Sequence, residues 1–243
     1  MNMKKNYYSK EKPNHSLNRW QSFLTTFLLV LIGQFAFSQT VQVGTGTSTT
    51  AFSTTTVPIT NYDFSYCQMI ITEAQITAAN SGNAITGEIS KLRFYTTVIG
   101  TTANWAANWT IYLGSTTKTA FSSNSDWEAF ANLQQVYQGS VTPVANNWWE
   151  ISFTTPFDYT GGNLIVAIDE NSAGWSSGPT FRTFTSGANS ALYFRADGAG
   201  NNPDPANPPL VNGNGALGRT GTLPQMQFYF TEPCVSPSGI TAT

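Results

Sequence analysis

Four stretches of this chain alternate apolar and polar residues with a period of two, the repeat of a half-buried β-strand. In EISKLRFYT, Glu88 to Thr96, Leu92 and Phe94 fall on one side and Lys91, Arg93 and Tyr95 on the other. NWTIYLGS turns Trp109, Ile111 and Leu113 inward, NWWEISFT does so with Trp149, Ile151 and Phe153, and QMQFYF with Met226, Phe228 and Phe230. Four such strands supply two facing walls. A fifth run, NLIVAI at Asn163 to Ile168, is apolar on both faces and predicts a central strand covered on both sides. SALYFRAD, Ser190 to Asp197, returns to alternation.

The composition agrees with these runs. Charged residues make up 10% of the 243 and aromatics 14%, so helix-forming charge is scarce while flat and branched side chains that suit a pleated surface abound. Short apolar runs parted by Gly, Asn, Ser and Pro point to an all-β, antiparallel β-sandwich of jelly-roll type and not to βαβ units. Only TEAQITAAN, Thr72 to Asn80, reads as helical, a turn or two that caps an end of the sandwich. Gly, Asn and Pro in Asp197 to Gly221 predict a long irregular loop.

Residues 1–38 carry Lys4, Lys5, Lys10, Lys12 and Arg19 ahead of the apolar run Phe23 to Phe37, which closes on the small-residue pattern Ala36-Phe37-Ser38. This pattern predicts a secretory signal peptide cleaved before Gln39, hence a secreted or cell-surface protein with no membrane span after cleavage; an uncleaved anchor is the rival. Residues 39–60 form a Thr/Ser-rich lead-in giving an edge strand and a loop, 61–231 the sandwich, and 232–243 a linker.

Beyond the leader, six basic residues face twelve acidic ones, a net charge of −6. With the basic residues scattered singly, nucleic acid is excluded as a partner. The only histidine, His15, lies in the leader, so Ser-His-Asp and Cys-His systems and histidine-ligated metals are excluded with it. Cys67 and Cys234 allow one disulfide, and the plainer alternative is that they stay unpaired or find other partners.

Three kinds of site remain. A glycoside hydrolase needs two opposed carboxylates, for which Asp126, Glu128, Glu150, Asp158, Asp169, Glu170, Asp197 and Asp204 are available, though exposed acids commonly serve only solubility. Calcium accepts oxygens from irregular loops, and Asp169, Glu170, Asn171, Asp197 and Asp204 are the best donors, without any EF-hand spacing. Asp169-Glu170-Asn171 is expected where the central strand leaves for solvent, and NPDPANPP reads more simply as a stiff proline-rich turn. Exposed indoles bind the apolar face of sugars, and Trp105, Trp148 and Trp175 are candidates, each with packing as the plainer alternative. Trp148 and Trp149 must point to opposite faces, so one of them leaves the main core. GTGTS at Gly44 lacks the lysine and helix of a phosphate loop.

The succession IYLG, TKTAFSSNSDW, WWEISFTTPFDYTGGNLIVAIDEN and LYFRAD resembles the β-sandwich modules near the N-termini of large secreted and cell-surface Bacteroidetes proteins associated with type IX secretion. CVSPSGITAT, at 234–243, looks like the opening strand of a fibronectin type III domain, so the resemblance implies a fragment or truncated gene product. It implies fold and location and carries over no functional residue. The resulting expectation is a non-catalytic adhesion or recognition module, its partner a surface glycan or protein; the alternative is a carbohydrate-binding accessory module of a secreted hydrolase, with no cofactor unless calcium.

Overall fold

In the computed structural model, which describes residues 3, 38–50, 57–174 and 179–231, the alternating runs become strands whose apolar sides face one another. β1 (Ser38–Val43) opens the fold, followed by β2 (Thr49–Thr50) and β3 (Phe64–Ile71). The helix α1 (Glu73–Ala79) starts at Thr72 in a capping box, with Thr72 and Gln75 satisfying each other's backbone N–H, and plugs Ile76 into the core. Then come β4 (Gly87–Val98), β5 (Trp109–Thr116), β6 (Leu133–Gly139), β7 (Asn147–Tyr159) and β8 (Asn163–Glu170). The last group is β9 (Thr180–Thr185), β10 (Ala191–Ala196), β11 (Gly215–Thr220), β12 (Thr222–Pro224) and β13 (Met226–Thr231).

These pair, antiparallel throughout, into two sheets. One orders β1-β13-β4, with β7 on the other edge of β4 and β9, β12 and β2 extending it; the second orders β11-β10-β3-β8-β5-β6. Setting β2 and β9 to β12 aside, eight strands remain. Numbered in chain order, they run first, eighth, third, sixth in one sheet and second, seventh, fourth, fifth in the other. That order is the jelly roll, two interlocked Greek keys. The described parts of the lead-in, 39–50 and 57–60, belong to it, because β1 forms an edge strand and Val41, Val43, Val57 and Ile59 are core residues.

The inward positions follow the alternation: Leu92, Phe94, Trp149, Ile151, Met226, Phe228 and Phe230 meet Trp109, Ile111, Leu113, Leu164, Val166 and Ile168 across the sandwich. Phe153 is half-buried against the same core. Ile89 and Leu92 both point inward despite their odd spacing, since a bulge between Ile89 and Lys91 absorbs one residue. At one end Trp105, Trp109, Trp149, Phe94 and Phe181 pack edge-on or tilted, with ring centroids 5.5 to 6.4 Å apart.

The second sheet is covered on its outer face too. Tyr66, Ile70, Tyr112, Phe121, Ile165, Ala167 and Leu192 form a smaller core there, roofed by Trp127, which stacks on Tyr66 at 5.1 Å. Gln68 clamps the roof by donating to the Glu128 carbonyl and accepting from the Glu128 N–H. Two expectations change as a result. SALYFRAD does not alternate, since β10 is buried on both faces, with Leu192 under this roof and Phe194 only 4% exposed. The segment Asp197 to Gly221 is not wholly irregular, since it contains β11. Gly218 lies opposite Tyr193, and the tyrosine ring occupies the space a side chain there would need.

Candidate binding face on the open sheet

With the second sheet roofed, the outer face of the first is left to water, and its outward residues are half-buried instead of covered. Trp149 is in the core, so Trp148 is the indole that points out. It lies directly opposite Tyr95 across the β4–β7 pair, edge to face at 5.6 Å and 89°. The Tyr95 hydroxyl donates to the Asn146 carbonyl at 2.8 Å, which fixes the ring. Pairing of Thr96 with Phe181 brings Arg182 alongside, its guanidinium 3.7 Å from the Tyr95 ring centroid.

One pair further along, Arg93 faces Glu150 and donates to its Oε2 from Nε at 3.0 Å and Nη2 at 2.7 Å; Lys91 takes Oε1 at 2.9 Å. Burial, which would raise the Glu150 carboxyl, is outweighed by these bonds and one from Ser152, and the group is held below its ordinary range. Tyr229 of β13 lies beneath both cations, 4.4 Å from Arg93 and 5.5 Å from Lys91. Trp148, Tyr95, Arg182, Arg93, Glu150, Lys91 and Tyr229 thus form a continuous strip of aromatic rings and charged groups, all but Arg182 on strands of the jelly roll itself. Such a strip can stack a ring and bond its substituents.

Of the expected sugar platforms, only Trp148 is accessible among the described residues. Trp105 is fully buried, and its indole N–H donates to the Ile99 carbonyl at 3.0 Å; the 3-10 turn 102–104 delivers it inward to the aromatic cluster. Trp175 lies outside the described residues. Tyr95 and Arg182 were missed. Alternation in EISKLRFYT puts Tyr95 outward, but the sequence offers no register that sets it opposite Trp148 and beside Arg182.

The acids at the end of NLIVAIDEN do not meet water as expected. Both belong to β8 and both are buried, because the strand remains paired to β3 and β5 through Glu170. They project to opposite faces. Asp169 faces the outer core, where burial and then the charge of Asp204 push its carboxyl up to about 7 against a hydrogen bond from Asn171. Glu170, with no exposed surface, faces the inter-sheet core, and burial pushes it up to about 9 although Oε1 accepts the Ser172 N–H at 2.7 Å. One oxygen of each, Oδ1 and Oε2, has no hydrogen-bond partner.

The five proposed calcium ligands therefore do not converge as a set. Asp197 accepts from the Asp63 N–H, and Asp204 ties its own turn by accepting from Ala206 N and Asn207 Nδ2, both at 2.9 Å. Asn171 bonds Asp169 and accepts from Asn202. Among the described residues no group of three or more His, Cys, Asp or Glu comes together to hold a metal. The loop 201–214 also encloses a shallow cavity of about 420 Å³, lined by Phe194, Asn202, Asp204, Asn207, Leu210 and Asn212. Cys67 is a free, buried thiol in the core, raised to about 12 by burial, and Cys234 lies outside the described residues. No described helix is long and apolar enough to cross a membrane.

No family model and no curated protein matches this chain. Among solved structures it is similar to the clostridial cysteine protease Cwp84 after propeptide cleavage, at 10% identity and a TM-score of 0.38, over 81% of this chain and 40% of that one. A structure of infectious bursal disease virus aligns at 14% identity and a TM-score of 0.16, over 84% of this chain and 36% of the other. The chain thus spans less than half of either.

Proposed function

We propose that this domain is a non-catalytic recognition module of a secreted or surface protein, and that it binds a glycan on the outer face of the β1-β13-β4-β7 sheet. The observation that carries the reading is the Trp148–Tyr95–Arg182 arrangement: a half-buried indole braced by a tyrosine that is itself pinned by a backbone hydrogen bond and a cation. Aromatic planes held in place before binding cost little entropy when a sugar ring stacks on them. Against catalysis stands the burial of the two carboxyls with the highest values, Asp169 and Glu170, neither of which is presented to a substrate. The remaining acids that depart from ordinary values, Asp126, Glu128, Glu150 and Asp204, are held down, the opposite of what a general acid needs.

Affinity electrophoresis through gels containing soluble polysaccharides tests the reading. At least one polysaccharide retards the protein, and Trp148→Ala abolishes the retardation without lowering the melting temperature by more than a few degrees. Retention of binding in that variant would place the ligand elsewhere, and hydrolysis of a polysaccharide by the purified protein would sink the non-catalytic reading.

A further inference from the structure

Charge is distributed unevenly over this domain. Of the six basic residues beyond the leader, three, Lys91, Arg93 and Arg182, lie on the open face of one sheet. The acid that faces them is Glu150, which bonds both Lys91 and Arg93. Glu88 and Asp158 share the face but pair with each other's strand at the far end of β4, beyond the bulge. Arg182 has no acidic partner among the described residues, and its Nε is buried without a hydrogen bond while its plane is held against Tyr95. The strip therefore carries an excess of two positive charges on a domain whose overall balance is −6.

A guanidinium stacked on Tyr95, the ring that meets Trp148 edge to face, presents its outer N–H groups in a plane, the geometry that takes a carboxylate or sulfate by two parallel bonds. Neutral sugars offer such a fork only hydroxyl acceptors, without the strength that an ionised partner adds. Resting on the reading of this face as glycan-binding, we infer that the ligand is an anionic polysaccharide, its acid group held by Arg182 while the pyranose ring stacks on Trp148. Glu150 limits the attraction by compensating one of the two neighbouring cations.

The test compares polygalacturonate as the carboxylated probe, chondroitin sulfate as the sulfated one, dextran as the neutral one and single-stranded DNA as a polyanion without sugar stacking. Binding to the full chain is measured by calorimetry at about 50 and about 500 mM salt. The expected result is binding to one or both anionic polysaccharides, weakened by salt, with dextran bound at least about tenfold more weakly. Arg182→Gln removes the preference, Arg182→Lys keeps part of it, and Glu150→Gln strengthens anionic binding; melting curves confirm that each variant is folded. The carboxylated and sulfated arms tell which acid group is read. Equal affinity for dextran, insensitive to salt and to Arg182→Gln, would overturn the anionic ligand and leave glycan recognition standing. Tight binding to DNA, or no effect of Glu150→Gln and Arg182→Gln together, would also overturn it. Absence of binding to every polysaccharide would overturn both.

Discussion

Replacing Glu170 by glutamine changes how stability depends on pH, and the direction follows from where the carboxyl sits. In the fold it is protonated up to about 9, whereas in the unfolded chain it ionises near its ordinary 4.5. Below 4.5 both states carry the proton and the group is neutral in the comparison. Between the two values the folded state holds a proton that the unfolded state has released, so stability falls as pH rises, by about 1.4 kcal/mol per pH unit. From about pH 5.5 to about pH 8.5 the loss is on the order of 4 kcal/mol, or roughly 8 to 16 °C in melting temperature for a domain of this size. Asp169, raised to about 7, adds a loss of the same sign that ends near that pH. Asp126, Glu128, Glu150 and Asp204 are lowered, so the stability they contribute is present above their unfolded values and disappears only on acidification, outside this window.

Glutamine keeps the shape and the carbonyl that accepts the Ser172 N–H, and leaves one polar group unpaired at the Oε2 position, as the protonated acid does. The variant should therefore match the parent near pH 5 and exceed it by several kcal/mol near pH 8.5. Urea titrations at three pH values measure this, with Asp169→Asn/Glu170→Gln as the variant whose slope should flatten further. The charges that act on Glu170 besides burial are Asp169 and Asp63, and on Asp169, Asp204. A constant stability difference between parent and Glu170→Gln across the range would refute the reasoning, because it would mean that Glu170 ionises with water's help in the folded state.

Gly218→Ala would place a methyl 2.3 Å from the Tyr193 hydroxyl and should cost about 1 to 3 kcal/mol, read as a lower urea midpoint; an unchanged midpoint would show that Tyr193 swings away freely. Trp109→Ala removes the indole at the middle of the aromatic cluster and should cost about 3 to 5 kcal/mol, enough to leave the domain poorly folded at 37 °C. In a Cys234→Ser background the buried, high-pKa thiol of Cys67 should react with a thiol reagent only as fast as the protein opens, so rapid labelling of the native state would contradict its placement.

The strands legible in the sequence are those whose two faces differ. In β4, β5, β7 and β13 one side meets the inter-sheet core and the other a wetter or thinner layer, and the residues record it. β8 was legible by the opposite sign, since NLIVAI is apolar on both sides and both are covered. β10 could not be read this way, because what covers its outer side is a loop from residues 117–132 and another from 197–214, and local pattern says nothing about a distant roof. β11 was hidden for a different reason: its glycines look like turn residues, and their side-chain space is filled by Phe194 and Tyr193 from the neighbouring strand. Asp169 and Glu170 were misplaced since polar residues after an apolar run normally mark an exit, and here the ladder to Ser65, Tyr66, Trp109 and Thr110 continues past that signal. The candidate face was half legible. That one of two adjacent tryptophans must leave the core follows from the period of two; that its neighbours are Tyr95 and Arg182 depends on register, which alternation does not encode.

The first strand of the jelly roll pairs with the last: β13 lies between β1 and β4, and every residue of β1 from Ser38 to Val43 finds its partner in Met226–Thr231. During synthesis, β1 therefore waits about 180 residues, and one edge of β4 about 130, with their backbone donors and acceptors unpaired. The half-made chain exposes two open strand edges and the apolar side of a sheet that cannot yet be completed, the condition under which chains stick to one another. Emergence of β13 is the event that closes the sheet, so this domain completes its fold only once its own last strand has been made.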